Sequence, residues 1–149
     1  MGASDHGTRL HSSARTSVGQ VRENNEDNLR LWAEDEFVVA VVADGMGGAV
    51  AGEEASRIAV ETLESGQFLQ TPENSPLGLN DEDAIAWLSE SIRHANANIV
   101  QRAAKEPELR GMGTTMTLAF VRGDRSIIAH VGDSRAYLID GYTRRITQI

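Results

Sequence analysis

Hydrophobic residues along this chain gather into short runs and regular periods, and each period predicts an element. Phe37 to Ala43, FVVAVVA, is apolar throughout, rich in β-branched residues and bounded by acids and glycines, the pattern of a strand covered on both faces. Just before it, NLRLWA (Asn28 to Ala33) predicts another strand. GEEASRIAVETLES, Gly52 to Ser65, sets Ala55, Ile58, Ala59, Thr62 and Leu63 near helical spacing. Acids in its first turn suit the helix dipole, and Gly66 offers a stop. QTPENSPLGLN, Gln70 to Asn80, carries two prolines and two asparagines and predicts loop. From Asp81 the apolar positions Ile85, Leu88, Ile92, Ala95, Ile99 and Ala103 step by three or four until Pro107, which predicts a long amphipathic helix.

Beyond Pro107 the period changes from helical to alternating. In TTMTLAFV, Thr114 to Val121, Met116, Leu118 and Phe120 share one face, as a strand requires. SIIAHV (Ser126 to Val131) and RAYLI (Arg135 to Ile139) flank a Gly132-Asp133-Ser134 turn, and Asp140-Gly141 marks a hairpin toward TRRITQI. Strands, two helices and then a meander of strands predict a layered α+β domain rather than alternating parallel units. No repeat or low-complexity tract is present.

Composition narrows the chemistry. The 149 residues suit one domain, and the absence of cysteine excludes disulfides, thiolate zinc sites and a cysteine nucleophile. With 22 acidic against 14 basic residues and a formal charge of -8, no positive field exists to hold nucleic acid or anionic lipid. The opening MGASDHGTRLHS has no apolar signal region, and Phe37 to Ala43 is too short to cross a bilayer; the chain reads as soluble and cytoplasmic. Residues 1–13 read as a disordered or vector-derived lead-in, with order beginning near Ala14.

The acids stand in unusual places. A strand aims Asp44 rigidly, while Gly45, Gly47 and Gly48 allow close backbone approach to whatever the carboxylate holds. Carboxylate, carbonyl and water oxygens suit Mg²⁺ or Mn²⁺, so Asp44 and the carbonyl of Gly45 are a candidate pair of ligands. A plain Asp-Gly turn explains the same dipeptide. Glu26 and Asp27 are adjacent acids before a strand and face opposite ways, so one points at a site and the other into its surroundings, or both are solvated loop. Arg22 offers a fork that matches phosphate, or a surface ion pair. Asp133 and Ser134 lie in a turn that hairpin chemistry alone accounts for. His130 reads as a packed or capping histidine, having no partner at ligand spacing. Ser134 has no histidine and acid in triad order, and GMGTT lacks the Gly-Lys-Ser/Thr ending of a phosphate-binding loop.

Taken in order, TSVGQVRENNEDN, VVADGMGGAVAGEEAS, GMGTTMTLAFV and IAHVGDSRAYLI closely resemble the bacterial form of the metal-dependent, type 2C serine/threonine protein phosphatases, over Ala14 to Ile149. The resemblance implies an α-β-β-α sandwich of two antiparallel sheets flanked by helices, with an Mn²⁺ or Mg²⁺ pair at one edge. It implies that Asp44 bridges both ions, that the Gly45 carbonyl binds one, and that Glu26 and Asp27 hold ion-bound waters. It further implies that Arg22 contacts substrate phosphate and that Asp133 belongs to a third, weaker ion site. The activity implied is hydrolysis of phosphoserine and phosphothreonine in proteins by a metal-activated water, opposite a bacterial Ser/Thr kinase.

Two departures qualify the resemblance. Met46 stands where many eukaryotic relatives carry a histidine that can donate a proton; it is ordinary in bacterial members. The family's later Thr-x-Asp-His, Ser-Asp-Gly-Leu and Asp-Asn segments have no counterpart before Ile149. Residues 14–149 therefore read as the amino-terminal portion of a catalytic domain, with little activity and limited stability alone. The alternative is a catalytically inactive, phosphatase-like binding or regulatory module.

Overall fold

The computed structural model describes residues 9–66, 69 and 75–149. Residues 1–8 of the expected lead-in, and the stretch of the expected loop before Ser75, lie outside the described residues. Among the described residues, seven strands and two long helices follow one another: β1 (Asp27–Ala33), β2 (Phe37–Met46), α1 (Ala49–Glu64), α2 (Asp81–Lys105), β3 (Gly113–Thr114), β4 (Met116–Arg122), β5 (Arg125–Val131), β6 (Tyr137–Ile139) and β7 (Ile146–Gln148). All pairings are antiparallel. The main sheet runs β1-β2-β4-β5 with β3 extending β2, and β6-β7 forms a separate two-stranded sheet.

Register decides which side chains enter the core. Val39 and Val41 stand opposite Phe120 and Leu118, and directly opposed residues of an antiparallel pair share a face. All four are at most 2% exposed. Both helices pack on this face and against each other, with Ala55, Ala59 and Leu63 from α1 and Ala84, Leu88 and Ala95 from α2 in one cluster. Trp87 meets Phe120 edge to face at 6.1 Å, a preferred aromatic geometry. Glu54 fastens the helices: Arg57 of its own helix and Arg102 of α2 both donate to it, and the Arg57 hydrogen bond leads in holding its carboxyl below the ordinary value.

Three expectations need correction. Helices cover Phe37 to Ala43 on one face only, since both lie on the same side, and on the other face Val38 alone of this run is buried. On the other face Val42 is 44% exposed and Ala40, Leu29 and Leu31 are half-buried. Helix α1 begins at Ala49, three residues before Gly52, so Glu53 and Glu54 fall outside its first turn. In α2 the buried stripe runs Ala84, Trp87, Leu88, Ser91, Ala95, Ile99. Ile85, one step round the helix, is 52% exposed. The ends of α2 match its sequence: Asn80 accepts from the Asp83 N–H at 2.8 Å, acids occupy the first turn, and Arg102 and Lys105 the last.

Candidate metal and phosphate site

Asp44 is part of β2 rather than of the turn after it, and it stands directly opposite Asp27 across the β1-β2 ladder. The two carboxylates meet. Burial, then the charge and hydrogen bond of Asp44, push the Asp27 carboxyl above its ordinary 3.8. Like charges held this close call for a proton or a cation between them.

The alternation expected of Glu26 and Asp27 is realised as two adjoining hollows that share Asp44. Glu26 faces one of about 430 Å³, together with Arg22, Asp44, Gly45, Met46 and Asp133. Asp27 faces the other, of about 310 Å³, with Asp44, Arg15 and Ser134 along its wall. Arg22, Glu26, Asp27, Asp44, Gly45 and Asp133, distant in sequence, therefore gather around the end of β2. Arg22 donates to Glu26 at 2.9 Å, and the Glu26 side chain is only 12% exposed. That contact is the surface-ion-pair reading of Arg22 and also its placement in the hollow.

Backbone contacts explain how these groups stay in place. Asp44 N–H donates to Thr115 Oγ1 at 3.0 Å, while its carbonyl accepts from Thr115 N–H and Thr114 Oγ1, each at 2.9 Å. The Glu26 carbonyl accepts from Gly45 N–H at 3.1 Å and from the Ser56 hydroxyl at 2.6 Å. Asn28 in turn donates to Ser56 at 3.0 Å.

The glycines serve a different purpose from the one expected. A Cβ on Gly45 would lie 2.0 Å from the Gly52 carbonyl oxygen, and one on Gly52 would lie 2.3 Å from Glu26 Oε2. Strand and helix thus pass backbone to backbone, and Gly52 makes room for the Glu26 carboxylate. Gly47 packs on Met112 with φ +116, whereas open space surrounds the Cβ position of Gly48. Met46, 54% exposed, lines the larger hollow.

His130 is a capped histidine. Its Nε2 lies 2.9 Å from the Gly132 carbonyl, which can only accept, so the neutral ring carries its proton there and Nδ1 accepts from Thr117 Oγ1 at 2.8 Å.

Among the described residues, no three acidic or histidine side chains form a metal cage by themselves. The donors present, the carboxylates of Asp44, Glu26, Asp27 and Asp133 and the Gly45 carbonyl along the two adjoining hollows, fit a hard ion that keeps several waters. Missing from the sequence reading were Thr114, Thr115, Ser56 and Gly52. Their only signals were hydroxyls and a glycine on faces otherwise set to be buried.

The chain is similar to known proteins over most of its length. The family model described as protein phosphatase 2C matches residues 16–148. The serine/threonine phosphatase stp of Listeria welshimeri is 39% identical over 137 residues, 91% of this chain and 52% of the relative. The crystal structure of serine/threonine phosphatase Stp1 from Staphylococcus aureus superposes with a TM-score of 0.81 at 36% identity, covering 96% of this chain and 54% of that one. The catalytic domain of the phosphatase PstP, solved in complex with 2 manganese ions, gives 0.72 at 36% identity, over 92% of this chain and 53% of its own. The chain spans about half the length of the Listeria relative. Its antiparallel sheets and paired helices have the architecture of these phosphatases, and the chain belongs to the protein phosphatase 2C family.

Proposed function

We propose that this chain is part of a protein-serine/threonine phosphatase, and that residues 14–149 form the amino-terminal portion of its catalytic domain. The observation that carries the reading is the placement of Asp44. It is fixed through its own main chain, faces Asp27, and shares a hollow with Arg22, Glu26 and Asp133.

Each residue has a part in that reading. Asp44, with the Gly45 carbonyl, would hold a pair of Mn²⁺ or Mg²⁺ ions, and Glu26 and Asp27 would orient the waters around them. Asp133, on the far wall of the hollow, would serve a third and weaker ion. The ions, when bound, would supply an activated water and take up charge on the phosphoryl oxygens. Arg22, 67% exposed at its side chain, can turn from Glu26 to a phosphate and orient it by two parallel hydrogen bonds. Met46 has no proton to give, so the leaving alkoxide would take its proton from water or from another group. Substrates would be phosphoserine and phosphothreonine in proteins, the products of a bacterial Ser/Thr kinase.

Support for the domain assignment comes from the half-buried face carrying Leu29, Leu31 and Val42 and from the exposed β6-β7 hairpin, where Leu138, Ile139 and Ile146 are each at least 60% exposed. Apolar surface of this kind marks a place for further polypeptide. Fusing residues 14–149 to the remaining carboxyl-terminal part of the Listeria relative tests the reading. The fusion should release phosphate from a phosphothreonine peptide with Mn²⁺, the 149-residue chain should do so at least about 100-fold more slowly, and Asp44→Asn should silence the fusion. Equal hydrolysis by the fusion with and without Asp44→Asn would overturn it.

A further inference from the structure

The hydroxyl that holds Asp44 is itself held from the opposite side of the site. Thr115 Oγ1, which accepts the Asp44 N–H, lies 2.7 Å from Ser134 Oγ. Ser134 belongs to the turn that carries Asp133, and the two residues line the two different hollows that meet at Asp44. The turn can approach so closely only because residue 132 is glycine: a Cβ there would stand 2.6 Å from Thr115 Cγ2, and φ is +109.

Thr115 Oγ1 has capacity for both partners at once. A threonine hydroxyl has one proton and two lone pairs. One lone pair of Thr115 Oγ1 takes the Asp44 N–H, and at 2% exposure the residue is shut off from solvent. Its proton and its other lone pair remain for Ser134 Oγ, so either hydroxyl can donate across the 2.7 Å contact, and Ser134 also lines the hollow beside Asp27 and Asp44.

We propose that Thr115 and Ser134 are positioning residues, a hydroxyl relay through which the Asp133 turn sets where Asp44 stands. The inference rests on the reading of Asp44 as the ion-bridging carboxylate. It gives the Gly132-Asp133-Ser134 turn a second duty: besides presenting Asp133, it tightens or relaxes the strand end that carries Asp44.

Two readouts on the full chain test this, amide hydrogen exchange at Asp44 and Mn²⁺ binding by calorimetry, with thermal midpoints recorded alongside. Thr115→Val keeps the shape and removes the hydroxyl; it should speed Asp44 exchange at least about 10-fold and weaken Mn²⁺ binding about 10- to 100-fold. Thr115→Ser should restore both to within about 3-fold. Ser134→Ala should move both the same way by less, and the double variant Thr115→Val with Ser134→Ala should be no worse than Thr115→Val alone, because one relay is cut once. Additive losses in the double variant would overturn the relay, as would a lowered thermal midpoint with Asp44 exchange and Mn²⁺ affinity unchanged. A parent chain that takes up no Mn²⁺ overturns the functional reading and the relay together. A parent that binds Mn²⁺, with variants that bind it equally, overturns the relay alone.

Discussion

On the helix-covered face of the main sheet, Val39, Val41, Leu118 and Phe120 are sealed from solvent, while the opposite face of the same strands leaves Val42 44% exposed and ends in Asp27 and Asp44. The first face is specified by volume and apolarity, the ordinary terms of a core. The second is specified by backbone hydrogen bonds and by charges placed against each other, an arrangement that costs stability until a cation arrives. One set of strands therefore carries a stabilising side and a working side, and β2 joins them: its odd-numbered residues from Phe37 to Ala43 are buried, while Asp44 and Met46 at its far end are exposed.

Perturbing the two sides should give effects of different size and sign. Phe120→Ala empties the space beside Trp87 and should cost about 3–5 kcal/mol in urea unfolding, enough to unfold a marginal domain; a loss under about 1 kcal/mol would mean that the covered face does not carry the fold. Gly45→Ala drives a methyl into the Gly52 carbonyl. It should cost about 2–3 kcal/mol by overpacking and displace the Gly45 carbonyl, so that Mn²⁺ affinity falls along with the unfolding midpoint.

Asp27→Asn should act in the opposite sense. Because the folded carboxyl is raised above 3.8, the folded chain binds more protons than the unfolded one in the interval above that value, and metal-free stability falls as pH rises through it. Removing the charge should flatten that fall and raise the metal-free thermal midpoint near neutral pH by about 1–3 °C, a small amount because solvent screens the pair. The same variant should weaken Mn²⁺ binding. A midpoint that drops, or an unchanged pH slope, would rule out repulsion between Asp27 and Asp44. Smallest of all, Val42→Thr on the open face should change the stability of this chain by less than about 0.5 kcal/mol; a core-sized loss would show that face to be packed after all.

The parts of the molecule that were legible in the sequence are those where one local period suffices. The alternation of Met116, Leu118 and Phe120 and the helix running from Asp81 toward Pro107 were of this kind, since burial on one side writes itself into consecutive residues. The covered face of α2 was shifted by one step because Ile85 is apolar yet exposed, while Ala84 and Ser91, small and weakly apolar, are buried. Among the site residues, Asp44 was visible from the glycines around it, and Arg22, Glu26, Asp27 and Asp133 through the ordered motifs. Less legible were the contacts that hold them. Asp44 and Thr115 are separated by 71 positions, and Gly45 is glycine on account of the backbone of Gly52, inside the helix that begins at Ala49. Such contacts are set by tertiary approach, which no local period records. The direct opposition of Asp27 and Asp44 depends on the register of the β1-β2 hairpin, which its turn residues alone leave open.

The central claim is that the carboxylate of Asp44 holds divalent ions at the end of β2. Mn²⁺ titration by calorimetry on the chain and on Asp44→Asn tests it most directly. The account predicts saturable binding that Asp44→Asn abolishes without lowering the metal-free thermal midpoint; identical isotherms for the two proteins would contradict it.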